Sequence, residues 1–170
     1  MAAQSTWTPI ATLTLATSGG LAFNNVPQNY TDLVLVCSVR STYNAASDVG
    51  ILDFGYTTNH SYTALRAVGT TPTSYNGTAS YGLYCNAIPA ATTNANIFGT
   101  FVAHIFNYSN STTYKTAIVR QGWDLNGSGG TTITVGMKNL TAPLTTVELG
   151  GGNAALAAGS TATLYGITAA

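Results

Sequence analysis

The sequence predicts an all-β fold, an antiparallel β-sandwich of jelly-roll type with about ten strands, and three observations carry that prediction. Short runs of alternating or continuous apolar residues recur along the chain, clusters of Gly, Asn, Pro and Ser separate them, and no stretch repeats its apolar residues with a 3.6-residue period. In 170 residues so many strands form two face-to-face sheets around one interior, so a single domain over residues 1–170 is expected.

The first strand is predicted over Thr8 to Leu15, where TPIATLTL alternates ahead of the turn SGG at Ser18 to Gly20. Turn residues NN (Asn24, Asn25) and VPQN lead into Thr31 to Arg40, a strand with Leu33, Leu35, Cys37 and Val39 on one face and Val34, Val36, Ser38 and Arg40 on the other. Val49 to Phe54 and Ser61 to Val68 follow, then a turn at SYNG (Ser74 to Gly77) and a strand over Ala79 to Cys85. IPAATTNAN, Ile88 to Asn96, reads as an irregular loop. Ile97 to Asn107 is the second long strand, with Ile97, Phe101, Ala103 and Ile105 on one face and Phe98, Val102, His104 and Phe106 on the other. Tyr114 to Trp123 and Thr131 to Met137 flank the turn NGSGG, Thr145 to Leu149 precedes GGG at Gly150 to Gly152, and Thr161 to Ile167 closes the chain. NAALAAG, Asn153 to Gly159, has room for one helical turn.

Both long strands carry apolar residues on both faces, whereas a sandwich has one interior. A second buried surface is therefore expected, and Val34, Val36, Phe98, Val102 and Phe106 are its candidate residues. An interface between identical subunits is the economical cover; a long loop near Ser74 or Ala90 folded over the sheet is the alternative.

Composition points the same way. Five basic and five acidic side chains give no net charge, so long-range repulsion between copies is nearly absent and association is favoured. Arg40, Arg66, Lys115, Arg120 and Lys138 are scattered, which removes the basic patch that nucleic-acid binding requires. No apolar run approaches the roughly 20 residues of a membrane span, and the N-terminus lacks a basic segment before an apolar one, so neither a membrane nor a secretory route is expected. Cys37 and Cys85 are read as free thiols, because two cysteines do not make a disulfide framework. Sequons at Asn29, Asn59, Asn76, Asn107, Asn110, Asn126 and Asn139 follow from a chain rich in Asn, Ser and Thr.

Catalysis needs convergent titratable groups, and few are present. His60 lies in the polar segment TNHSY, and His104 lies on a strand where a hydrogen-bonded buried or interface role is favoured; neither has a ligand partner at metal spacing. Asp53, with Asp48 nearby, is expected to pair with Arg40 or Arg66, since a glycosidase would need a second placed carboxylate. DLNGSGG, Asp124 to Gly130, opens like a calcium loop, but its twelfth position is Val135, so a hairpin turn is expected. No catalytic residue, metal or cofactor is predicted. Tyr56, Tyr62, Tyr75 and Tyr81, read as loop residues, offer rings on which sugars can stack, which is a rival binding reading.

Four segments together, FNNVPQNYTDLVLVCSVRS (Phe23 to Ser41), LRAVG (Leu65 to Gly69), FVAHIFNYSNSTTYKTAIV (Phe101 to Val119) and AGSTATLYGI (Ala158 to Ile167), resemble a β-rich module of virion structural proteins of tailed bacteriophages, notably phages of cyanobacteria and other marine bacteria. The resemblance runs from about Phe23 to the end and carries no catalytic signature. It implies a part of the virion, assembled in the host cytoplasm: a capsid decoration or cement protein, homotrimeric and in contact with the major capsid protein, or else a tail-fibre or head-fibre adhesin. A chain that begins at Met1 and holds only the module favours a stand-alone protein over a fibre tip.

Overall fold

A computed structural model describes residues 6–55 and 59–168. It contains twelve strands: β1 (Trp7–Thr14), β2 (Leu21–Asn24), β3 (Asp32–Val39), β4 (Ser47–Asp53), β5 (His60–Val68), β6 (Thr71–Ala79), β7 (Leu83–Pro89), β8 (Gly99–Phe106), β9 (Lys115–Asp124), β10 (Gly129–Lys138), β11 (Thr146–Gly151) and β12 (Thr161–Ile167). The large sheet has the order β1-β12-β3-β8-β9-β10-β5-β6 and the small one β2-β11-β4-β7. Every pairing is antiparallel.

The predicted all-β sandwich is thus observed, and its order is that of a jelly roll. In β1-β12-β3-β8 and β2-β11-β4-β7, early strands alternate with late ones, as when a long antiparallel ribbon is rolled over itself. The two remaining hairpins, β5–β6 and β9–β10, are insertions that join each other through β10 and β5 and lengthen the large sheet beyond β8. The two strands beyond the predicted ten are β2, Leu21–Asn24, and β6, Thr71–Ala79.

The core forms where the two sheets face each other. Leu33, Leu35, Cys37 and Val39 of β3 and Phe101, Ala103 and Ile105 of β8 pack against Leu21, Leu52, Leu83, Val147 and Leu149 of the small sheet. Each of the Leu, Val, Ile and Phe side chains contributes about 1.5–3 kcal/mol by leaving water. Beneath the inserted strands the small sheet no longer covers the large one in full, and the inward residues turn polar: Lys115, Gln121, Thr132, Thr134 and Lys138 are all buried. Backbone carbonyls satisfy the lysines. Lys138 Nζ donates to Phe54 O at 2.6 Å, and Lys115 Nζ donates to the carbonyls of Asn110, Thr113 and Thr141, the last two at 3.0 and 3.1 Å. Burial holds both ammonium groups below the ordinary lysine range.

Several local expectations change. SYNG at Ser74 to Gly77 is not a turn but the middle of β6, and the strand expected over Ala79 to Cys85 breaks at Gly82, whose φ of 139° places the turn between β6 and β7 there. β2 is too short to show an apolar period. NAALAAG forms no helix, because Leu156 bridges to Gly19 and Ser41 instead. The loop after Pro89 is held at the end of the sandwich by Arg40, whose guanidinium donates to the carbonyls of Asn94, Ile97, Ala91 and Thr93 at 2.9, 3.0, 3.4 and 3.1 Å. Asp124 Oδ1 accepts from the N–H groups of Asn126 and Gly127 at 2.7 and 3.2 Å, which makes DLNGSGG a hairpin turn between β9 and β10.

Candidate functional site

The outer face of the large sheet is the first candidate. Strand register sets Thr163, Val36, Val102, Arg120, Ile133 and Leu65 in one row across β12, β3, β8, β9, β10 and β5. The next row runs Tyr165, Val34, His104, Ile118, Val135 and Thr63. Arg120 is the one charged member of these rows, and a groove of about 630 Å³ lies beside it, lined by Leu65, Pro72 and Ile133 among others.

The rows differ in cover. Val34 is only 2% exposed and sits between Tyr165 and His104, whose ring stacks on Phe106 with centroids 4.1 Å apart. His104 Nε2 lies 3.0 Å from Asp32 Oδ2, and Asp32 Oδ1 accepts from Asn107 N at 2.8 Å, so this histidine works as a hydrogen-bonded part of the sheet. Val36 remains 38% exposed, and Leu65, at 61%, Ile133 and Val135 are more open or equally so. Val102 and Phe106 are half-buried on the same face. Phe98 lies ahead of β8 rather than in it, beside Gly159, and is not a member of either row. Of the two covers considered for this face, the loop cover loses its candidates: Ser74 is inside β6 and the Ala90 loop is tied to the sandwich end. Leu65, Ile133 and Val135 were missed in the sequence, although the alternation Thr131, Ile133, Val135, Met137 was there to be read.

The tyrosines divide. Tyr62 and Tyr75 are strand residues, not loop residues; their rings meet edge to face at 6.1 Å, and Tyr62 also lies 5.8 Å from Tyr84. Asn86 Nδ2 donates to the Tyr75 hydroxyl, so the pair packs the inserted hairpin onto β7. Tyr56 lies outside the described residues. Tyr81, 75% exposed, borders a pocket of about 410 Å³ on the small sheet, together with Ile51, Asp53, Tyr84, Glu148 and the glycines at 150–152. Asp53 and Glu148 are register partners on β4 and β11.

The remaining titratable groups sit inside. His60 starts β5 and is buried rather than in a polar turn; its Nε2 is 3.9 Å from Asp53 Oδ1. Asp53 therefore faces His60 and the field of Lys138, while Arg40 holds the Ala90 loop and Arg66 lies over the Trp123 ring and reaches Asn86. Cys37 and Cys85 are free and buried; burial pushes both thiols up, Cys85 to about 12. Among the described residues, no three His, Cys, Asp or Glu side chains come together as a metal site.

Burial, and then the charge of Lys138, lowers the His60 pKa to about 4. An unfolded histidine takes its proton near 6.5, so between these values the unfolded chain binds more protons than the folded one. The stabilisation is complete above pH 6.5 and is lost as pH falls towards 4, by roughly 3 kcal/mol. Urea midpoints at pH 7 and 4.5 should show this loss, and His60→Leu should flatten it. An unchanged slope in that variant would assign the acid sensitivity elsewhere.

Compared with protein-family models, with curated proteins and with solved structures, the chain finds no match.

Proposed function

We propose that the chain is a non-enzymatic structural protein of a tailed-phage virion, which self-associates through the outer face of its large sheet and decorates the capsid, bracing neighbouring major capsid subunits. The observation that carries this reading is the exposed apolar row of Val36, Ile133 and Leu65 on a chain with no net charge. Three copies around one axis would bury that row on every subunit. A jelly roll suits such a role, since its rigid sandwich presents broad sheet faces to neighbours, and the resemblance of the four sequence segments points to the same setting.

A second reading, a fibre adhesin that binds host glycans, is favoured by the pocket beside Tyr81 and Tyr84, where an exposed ring adjoins two carboxylate acceptors. It uses the opposite side of the molecule from the assembly face.

Light scattering tests the first reading. The purified chain should be an oligomer whose mass holds from roughly 0.05 to 1 M salt, because apolar contacts and not exposed charges hold it. A monomer at tens of micromolar would overturn it. Cryo-electron microscopy of the particle that carries the chain then distinguishes shell from fibre, and Tyr81→Ala should abolish glycan-array binding if the second reading holds.

A further inference from the structure

A sheet edge invites pairing unless something blocks it, and the two sheets have four edge strands: β1, β6, β2 and β7. Three are blocked. β1 carries Pro9 and a register shift between Pro9 and Ala11. β2 has only four residues. β7 is covered by the inserted hairpin, with Tyr84 against Tyr62 and Asn86 bonded to Tyr75, and is kinked at Ala87, whose φ is 55°. β6 differs in length and regularity: nine residues, TPTSYNGTA, pair with β5 without a shift and include no charged side chain, and its one proline, Pro72, stands second from its start.

We propose that β6 joins two copies of this chain edge to edge, antiparallel about a two-fold axis at Asn76, so that the two large sheets become one continuous sheet. This shares with the proposed function the premise of self-association but uses a different surface.

Pro72 fixes which groups are free. Its nitrogen has no hydrogen, and it stands opposite Ala67, so the β5–β6 ladder is complete only if that nitrogen faces the open side. The same alternation turns the N–H and C=O groups of Ser74, Asn76 and Thr78 to the open side. An axis at Asn76 then pairs Asn76 with its own copy and Ser74 with Thr78 of the other, which leaves Pro72 beyond the bonded segment.

The side chains support a second copy as the partner. On the outer face, Asn meets Asn and Ser meets Thr, and each of these groups both donates and accepts hydrogen bonds. On the inner face, Tyr75 falls opposite Gly77 of the other copy, a large residue against the smallest, and Gly77 is already overlain by the Tyr62 ring of its own chain. No like charges meet at any pair.

Two variants test it. Asn76→Pro removes a donor that β5 does not use, so it should keep the wild-type circular dichroism and melt within a few degrees of wild type, at half the wild-type mass. Asn76→Cys should give a covalent dimer on mild oxidation, since directly paired residues sit about 5.5 Å apart at Cα, inside the range a disulfide spans. Wild type should give none, because Cys37 and Cys85 are buried. Should Asn76→Pro fail to fold, the cross-link decides alone, and its absence overturns the pairing. A full mass in Asn76→Pro also overturns it. A mass lost in Val36→Asp but kept in Asn76→Pro would leave the face assembly standing without the edge; the converse would remove the face and keep the edge.

Discussion

Leu35→Asp should fail to fold, whereas Val36→Asp, one residue on, should give a folded protein that no longer assembles through this face and so loses mass. The two side chains leave β3 on opposite faces. Leu35 is fully buried among Leu164, Ala103 and the small sheet, so an aspartate there brings an unpaired carboxylate into a space without a donor. That costs several kcal/mol, a large part of the roughly 5–15 kcal/mol that holds a domain folded. Val36 stands between Thr163 and Val102 on the outer face and keeps contact with water in the single chain, so its carboxylate stays hydrated. In an assembly it must be desolvated, and copies close to a symmetry axis would repel each other. Circular dichroism and light scattering separate the outcomes. A Val36→Asp protein with full wild-type mass would exclude this face as the assembly surface, and a folded Leu35→Asp protein would place the core elsewhere.

That contrast was legible in YTDLVLVCSVRS because β3 lies inside the sheet, between β12 and β8, and carries apolar residues on both faces, so its alternate positions each mark a surface. β10 hid its message by inverting the usual polarity. Thr132 and Thr134 point inward and are buried, while Ile133 and Val135 point outward, and a reader who assumes that threonines face water assigns both faces wrongly. β6 was hidden for another reason. Ser, Asn and Gly in SYNG carry turn propensity, but nine consecutive pairings with β5 outweigh it, since strand formation depends more on cross-strand partners than on the residues themselves. His60 was misplaced by its neighbours: Thr58 and Asn59 are polar, yet the histidine enters a space closed by Phe54 and Lys138, which no local pattern announces. The candidate face was therefore half visible, through Val36 and Val102 on the rolled ribbon, and half invisible, through Leu65, Ile133 and Val135 on the inserted hairpins.

Asp48→Asn should lower stability by about 1.5–3 kcal/mol for each charge-assisted bond it loses, although it changes one atom of the side chain. Asp48 is buried, yet its carboxylate faces only donors: Ser41 Oγ at 2.6 Å, Val49 N at 2.8 Å, Asn153 Nδ2 at 2.7 Å, Asn153 N at 3.1 Å and Ala154 N at 3.3 Å. An acceptor-only group with two oxygens suits that shell. Asparagine keeps one oxygen and turns an NH₂ group on donors, so bonds to a charged acceptor, each worth about 1.5–3 kcal/mol, are lost and donors are left buried without partners. The loss also bears on the small-sheet pocket. The turn that Asp48 holds at Asn153 and Ala154 directly follows Gly150 to Gly152, which line the space beside Tyr81, so loosening it should also weaken any glycan bound there. Ser41→Ala measures the network by itself. Because Ser41 and Asp48 share a bond, the double variant should cost less than the two single changes added together. Urea denaturation of the four proteins reads the result, and an Asp48→Asn midpoint equal to wild type would mean that water, not these donors, holds the carboxylate.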